Sequence, residues 1–392
     1  MSFDSSQSSP AIASRIARVA PFLAMDVLAR AAEKERRGDS VVHMEVGQPG
    51  APAPLAVREA AKAAIDSGRI GYTEALGLAA LRERIARHYR DAYGVSVGPE
   101  RIAVTTGSSA GFVLAFLAMF EPGDRVAITA PGYPAYRNIF EALGVEVVTI
   151  PLEKADGYVM TARAVRAAHA HKPLKGVLAM SPANPSGTMI GRAGLADLGA
   201  ACRENGIWFV SDEIYHGLTY DAPAQTALAA DPDAVIVNSF SKYYCMTGWR
   251  IGWLVLPPAL VRPVEVLAQS LYISAPYISQ VAAIAAFEAA QELEVIKAGY
   301  ARNREILLEA LPRIGITDMH PVDGAFYVYA DIARFTNDSL DFCKRMLDEA
   351  GIAATPGLDF DPVEGAHHMR LSFAGTEEGC REGMRRLKAW LG

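Results

Sequence analysis

The sequence predicts an α/β protein: a mainly parallel central sheet sandwiched by helices, with a smaller α+β unit beside it. Three observations lead there. Between about residues 101 and 256, short β-rich runs alternate with helical periods, the pattern of strands joined by crossover helices. Several of those runs are apolar nearly throughout, as strands covered on both faces must be. Polar, chemistry-bearing residues collect where the runs end, the edge at which open parallel sheets bind ligands.

Taken in order, the opening "MSFDSSQSSP" is serine-rich with no basic or apolar stretch, and reads as a frayed terminus and not a signal peptide. "FLAMDVLARAAEKERRG" carries a helical period. The strand runs are "RIAVTTG", "RVAITAP", "VEVVTIP", "KGVLAM", "IWFVSD", "AVIVNSF" and "IGWLVL", and helices are predicted at "AGFVLAFLAMF", "PAYRNIFEALG" and "GLADLGAACRENG" between them. From Ile278 to about Leu311 the spacing predicts one long helix leading into a second unit. That unit holds strands at "GAFYVYADI" and "MRLSFA", with helices over Leu340–Ala350 and Glu377–Leu391. The region before residue 45 has no room for a DNA-binding domain and is expected to join the C-terminal region. The division expected is a large domain over 46–289 and a small one from 1–45 plus 290–392.

Hydrophobic residues make up 51% and charged residues 21% of the chain, a balance that can bury a sizeable core. A net charge of −6 argues against a nucleic-acid groove or a polybasic membrane surface. No apolar run reaches transmembrane length. Four scattered cysteines without a C-x-x-C pair point to a reduced, cytoplasmic compartment. The histidines of "HAH" (His169–His171) and "HHM" (from His367) lack the partners of a metal site and read as surface residues, so no metal is expected.

The chemistry gathers at four strand ends. Gly107, Ser108 and Ser109 offer amides and hydroxyls at a helix start, which suits an anion or equally a simple cap. Asn184 sits between prolines in "SPANPSGT", where a turn is the plain alternative. Asp212 and Tyr215 follow in "SDEIY", where a cap and a packing residue would serve as well. Lys242 in "SFSKYYCMTGWRIGW" is harder to explain structurally. An ammonium in an interior-looking stretch costs desolvation, and burial lowers its pKa toward nucleophilicity. A lysine that bonds a carbonyl cofactor, with Arg250, Ser239, Ser241 and the Gly107 loop around a phosphate, accounts for both cations of the stretch.

These motifs, in this order and near this spacing, resemble the class I/II (aspartate aminotransferase-like) aminotransferases of the fold-type I pyridoxal-phosphate enzymes. The resemblance runs from "VGQPG" at Val46 to "MRLSFA" at Met369. It implies that Lys242 forms the internal aldimine with pyridoxal 5'-phosphate and then shuttles the substrate proton. It implies further that Asp212 pairs with the pyridine nitrogen, that Asn184 and Tyr215 hydrogen-bond the ring oxygen, and that Tyr133 of "APGYPAY" stacks on the ring. Gly107, Ser108, Ser109, Ser239, Ser241 and Arg250 would surround the phosphate. Tyr72 would reach the phosphate of a neighbouring subunit, which implies a homodimer with shared sites. Arg370 would grip the substrate's α-carboxylate, and Gly47 would lie in a segment closing over the substrate.

The implied activity is transfer of an amino group between an L-amino acid and a 2-oxo acid by a ping-pong route. A β-lyase on the same scaffold is the alternative. A regulator with a degenerate sensor domain is disfavoured by the retained Lys242 and Asp212. Ser109 stands where one branch of the family places a lysine for acidic side chains, and Tyr272 and Tyr277 of "SLYISAPY" are expected at the entrance. Both lean toward apolar or aromatic substrates. Cys245 replaces the small residue usual after the lysine and is read as a buried thiol without a catalytic role.

Overall fold

The computed structural model describes residues 11–392; the serine-rich opening at 1–10 lies outside the described residues. Helix α1 (Leu23–Arg36) and a short β1 (Val42–His43) come first, followed by α2 (Leu55–Asp66) and α3 (Ala79–Tyr93). The alternating region then runs β2 (Ile102–Thr105), α4 (Gly107–Met119), β3 (Arg125–Ala130), α5 (Pro134–Leu143), β4 (Glu146–Pro151), α6 (Ala162–His171), β5 (Gly176–Met180), α7 (Arg192–Glu204), β6 (Trp208–Asp212), β7 (Val235–Ser239) and β8 (Gly252–Val255). These seven strands, at the seven predicted runs, form one sheet in the order β2-β8-β7-β6-β5-β3-β4.

Pleating explains why the central runs have no polar face. Leu178 and Met180 of β5 face one core cluster while Val177 and Ala179 face the other. In β7, Val235 and Val237 oppose Ile236 in the same way. Helices α4, α5 and α8 (Pro258–Leu271) bury residues in the first cluster, and α2, α3, α6, α7 and α9 (Tyr277–Ala286) in the second.

Strands β3 to β7 pair in parallel, which aligns their carboxyl ends: Met180 is in register with Asp212, and Ser181 donates its N–H to the Asp212 carbonyl at 3.1 Å. Strand β8 runs antiparallel to both β7 and β2, with Gly252 opposite both Ser239 and Thr105. A reversed strand begins where its neighbours end. Arg250, two residues before β8, therefore arrives at the same edge as Gly107 and Ser239.

The long helix expected over Ile278–Leu311 is instead two, α9 and α10 (Ala290–Ile314), broken at 287–289. The break lets Phe287 turn inward against Phe240, Tyr244 and His88, with the Arg84 guanidinium 4.3 Å above its ring. It also gives the two helices different partners: α9 packs on α2 and α3, and α10 packs on α12 (Glu377–Leu391).

The remaining elements are β9 (Tyr327–Asp331), α11 (Ser339–Ala350), β10 (Ile352–Ala353), β11 (Thr355–Pro356) and β12 (His368–Ser372). Strands β11, β12 and β9 form an antiparallel sheet in that order, and β1 pairs in parallel with β10. Among the described residues no helix is long and apolar enough to cross a membrane.

The β1 strand carries a charged junction. His43 bridges Glu45 (Nδ1 to Oε1, 2.7 Å) and Glu35 of α1 (Nε2 to Oε1, 3.1 Å). Glu45 is fully buried, so the hydrogen bond to its carboxylate pushes His43 up to about 9, against the opposing effect of burial. A raised folded-state value means that the contribution to stability is complete below the unfolded histidine's pKa of about 6.5. It is lost as pH rises through about 9. Thermal melts should therefore show Tm falling between about pH 7 and 10, with a shallower fall for His43→Gln. Equal slopes in the two proteins would remove His43 from this role.

Candidate active site

A cavity of about 250 Å³ opens at the carboxyl edge of the seven-stranded sheet, facing β9 and β12. Its wall takes Ser108 and Ser109 from the start of α4, Tyr133 from the start of α5, and Asn184 from the loop after β5. Asp212 comes from the end of β6 with Tyr215 just beyond, and Ser241, Lys242 and Arg250 come from the turns between β7 and β8. Gly47, Tyr327 and Arg370 close it from the other side. Residues as far apart in sequence as Phe22 and Arg370 thus meet in one space.

Lys242 is half-buried, and its Nζ donates to the Gly47 carbonyl at 2.6 Å. Its pKa is drawn down to about 8, first by burial and then by the charges of Arg370 and Arg250, with Asp212 opposing. A usable fraction of neutral amine is thereby present near neutral pH. Asp212 is buried, accepts the Ile214 N–H at 3.0 Å and the Tyr136 hydroxyl, and is raised to about 6 because burial outweighs those donors. Arg370 is also buried. Its Nη1 donates to Asn184 Oδ1 at 2.8 Å and its Nη2 to the Glu45 carbonyl and to Thr355 Oγ1, while Nε has no partner. A guanidinium held on one side with a buried donor left over suits a carboxylate ligand.

Gly107 shows why the α4 loop takes this form. Its φ of +77° favours glycine, and a Cβ there would lie 2.5 Å from Arg250 Nη2. The first amides of α4 and the Arg250 guanidinium thus flank one small space, an anion cradle in which any side chain at 107 would collide with the arginine.

Of the fourteen residues singled out from the sequence, eleven line this cavity: Gly47, Ser108, Ser109, Tyr133, Asn184, Asp212, Tyr215, Ser241, Lys242, Arg250 and Arg370. Gly107 and Ser239 stand behind the wall. The Ser239 hydroxyl is engaged by Ser241 Oγ (2.8 Å), Ser241 N (3.0 Å) and the Ile251 carbonyl (3.0 Å), which shapes the turn into Lys242. Tyr72 lies elsewhere on the chain, 83% exposed, beside Gly68–Thr73 and Tyr277.

Two expectations need correction. Arg250 is exposed and not interior: residues 247–249 form a 3₁₀ turn and Arg250 takes a φ of +50°, so its side chain walls the cavity while remaining open to solvent. Tyr272 and Tyr277 do not line the cavity in this chain. Their segment packs by the Tyr72 loop, where Thr73 N donates to Ser274 Oγ at 3.2 Å. Cys245 is buried and outside the cavity wall, its thiol pushed up to about 11 chiefly by burial.

Sequence reasoning missed several contributors. Tyr136 bonds Asp212, and its i,i+3 spacing from Tyr133 at a helix start was a usable signal. Tyr327 places its hydroxyl 2.6 Å from that of Tyr215; strand alternation told only that one face of "GAFYVYADI" turns inward. Phe22, Ala24 and Met25 cover the cavity from the N-terminal segment. That segment is held by Asp359, whose carboxylate accepts the Leu23 and Ala24 amides at 2.9 and 3.3 Å, and by Asn138, which brackets Ala20 N and O. No local pattern separates such a helix start from an ordinary amphipathic one.

Comparison with known proteins agrees with this geometry. Residues 39–387 match the family described as aminotransferase class I and II. The chain is 48% identical over 379 residues to a valine–pyruvate aminotransferase of Mycobacterium tuberculosis, covering 96% of this chain and 97% of that protein. A crystal structure of an aminotransferase from the same organism superposes with a TM-score of 0.95 at 48% identity, over 98% of this chain and 99% of the other. An aspartate aminotransferase of Thermus thermophilus with maleate gives 0.92 at 31% identity, over 97% and 99%.

Proposed function

The chain belongs to the class I and II aminotransferase family and is a transaminase; on that premise we propose that it holds pyridoxal phosphate at Lys242 and prefers apolar L-amino acids as donors. The observation that carries this is one cavity joining an amine of lowered pKa, a buried carboxylate and two guanidinium groups. The residues fit the cofactor. Gly107 leaves room beside Arg250, Arg370 keeps a free Nε, and Asp212 is buried with only a phenol and an amide as donors.

When bound, the cofactor supplies an electron sink for the charge left on the substrate Cα. Lys242 would hold it through Nζ, and the same amine, the only one placed in the cavity among the described residues, would carry the proton from and to that carbon. Asp212 would face the ring nitrogen and keep a proton there. Asn184, whose Oδ1 is engaged by Arg370, has Nδ2 left to donate to the ring oxygen, and Tyr215 would donate to the same atom. Arg250, Ser108, Ser109 and Ser241 would bind the phosphate, Tyr133 would stack on the ring, and Arg370 would orient the substrate carboxylate.

The division of the chain follows the same reading: 46–289 as the cofactor unit, with 1–45 and 290–392 as the smaller one, supported by the β1–β10 pairing. Tyr72, exposed among Ile70, Leu271 and Ile273, suits a homodimer in which it reaches the partner's site. No observation favours elimination over amino transfer.

Substrate preference follows from charge. The cations lining the cavity are Lys242, Arg250 and Arg370, and each already has a task. An aspartate side chain would be an unpaired anion beside Phe22 and Met25, whereas an aliphatic one gains from the same burial. The valine–pyruvate relative leans the same way. In steady-state assays, kcat/KM for valine or leucine should exceed that for aspartate by at least about tenfold. Ser109→Lys should narrow the gap, while Arg370→Ala should lower every substrate by about 10²-fold or more. A wild-type preference for aspartate would overturn this assignment.

A further inference from the structure

Tyr327 is fully buried, lines the cavity and has no part in the function proposed so far. Its hydroxyl oxygen lies 2.6 Å from that of Tyr215, with the two rings 78° apart. Each phenol has one proton, so one of the pair donates and the other accepts. The donor also decides what Tyr215 can offer to the cavity. If Tyr215 gives its proton to Tyr327, none is left for a ligand. If Tyr327 donates, the Tyr215 proton is free to point inward.

Arg370 selects between these. Its guanidinium lies 4.3 Å from the centroid of the Tyr327 ring. A cation on the ring face draws electron density from the phenol and makes its O–H the better donor. Burial raises the pKa of both phenols, and the charge of Arg370 opposes it in each; in Tyr327 it ranks directly after burial, whereas in Tyr215 it ranks behind the two effects of Tyr327. Gly47 completes the arrangement: a Cβ at that position would stand 1.7 Å from the Tyr327 hydroxyl, so the backbone that receives Lys242 Nζ rests directly on this oxygen. Tyr327 thus touches the residue assigned to the substrate carboxylate, the one assigned to the cofactor oxygen and the segment bonded to the lysine.

We propose that Tyr327 is a positioning residue that donates its proton to Tyr215, so that the Tyr215 hydroxyl is aimed at the cofactor's ring oxygen, and that it passes the charge state of Arg370 to that bond. This rests on the cofactor assignment above. A carboxylate seated on Arg370 neutralises the cation, weakens Tyr327 as a donor and, through it, weakens Tyr215. A direct contact from Arg370 to Asn184 acts alongside and does not pass through Tyr327.

The test uses the holoenzyme and the pH titration of its visible absorbance. Tyr327→Phe removes one oxygen from a packed ring and keeps its volume. It should raise the titration midpoint by about 0.1–0.5 pH unit, the share by which one neighbouring hydrogen bond strengthens the next. In wild type, saturating 4-methylpentanoate, which has the carboxylate and no amine, should raise the midpoint, and in Tyr327→Phe that rise should shrink by about half. In a Tyr215→Phe background the Tyr327→Phe effect should vanish, because it acts through Tyr215. An unchanged midpoint in Tyr327→Phe, or a shift that persists without Tyr215, would overturn the inference. Borohydride labelling separates the two levels. A wild-type protein without label at Lys242 refutes the cofactor assignment itself, whereas labelled proteins with equal midpoints refute only the role of Tyr327.

Discussion

Lys242→Ala should lower kcat/KM for amino transfer by at least about 10⁴-fold. Among the described residues Lys242 is the only lysine lining the cavity, and every step assigned to an amine falls on it. Arginine cannot take its place, since a guanidinium stays protonated, whereas Lys242 is brought down to about 8 by burial and by Arg370 and Arg250. The fold should survive the substitution, because the hydrogen bond that Nζ makes is to the Gly47 carbonyl at the cavity wall. Borohydride reduction of the wild-type holoenzyme should fix the cofactor to one lysine, and peptide mapping should place it at residue 242. A label on another lysine, or a variant within tenfold of wild type, would refute the assignment.

Asp212→Asn should slow the proton-transfer step by about 10²–10³-fold, the range seen when one preorganised electrostatic group is lost. The amide keeps the shape and can still accept the Ile214 N–H, but it carries no charge to hold a proton on the ring nitrogen. Stability should move the other way in the cofactor-free protein. The folded-state pKa of Asp212 is raised to about 6, chiefly by burial. Stability from this group is therefore present below the unfolded carboxyl's pKa of about 3.9 and lost as pH rises through about 6, where a buried charge forms. Asparagine carries no such cost, so above that pH the cofactor-free variant should melt no lower than wild type. Single-turnover rates with an amino acid, paired with thermal melts, measure both effects. Wild-type rates in the variant would return Asp212 to a simple cap on the turn that follows β6.

Much of the site was legible because its signals are local. Seven strands were marked by β-rich runs, several of them apolar throughout, and the polar clusters "GSS", "SPANPSGT", "SDEIY" and "SFSK" were marked by following those runs directly. Chain chemistry alone tells where a strand stops, and a parallel sheet brings its carboxyl ends to one edge. For Lys242, Asp212 and Asn184, sequence position was therefore enough to predict a shared crevice, whereas Arg370, in a separate sheet, was assigned through the family resemblance alone.

What the tertiary structure alone decided depends on contacts distant in sequence. The antiparallel course of β8 brings Arg250 to the edge, yet "IGWLVL" reads the same in either direction. The break at 287–289 follows from Phe287 turning toward Phe240 and Arg84, which no window around the helix contains. Phe22 and Met25 cover the cavity because Asp359, more than 330 residues away, holds the amides of Leu23 and Ala24. Tyr327 became part of the site through a 2.6 Å contact with Tyr215 across 112 residues. Strand and helix patterns record the burial of a residue, whereas the neighbour it meets there is set by how the elements pack.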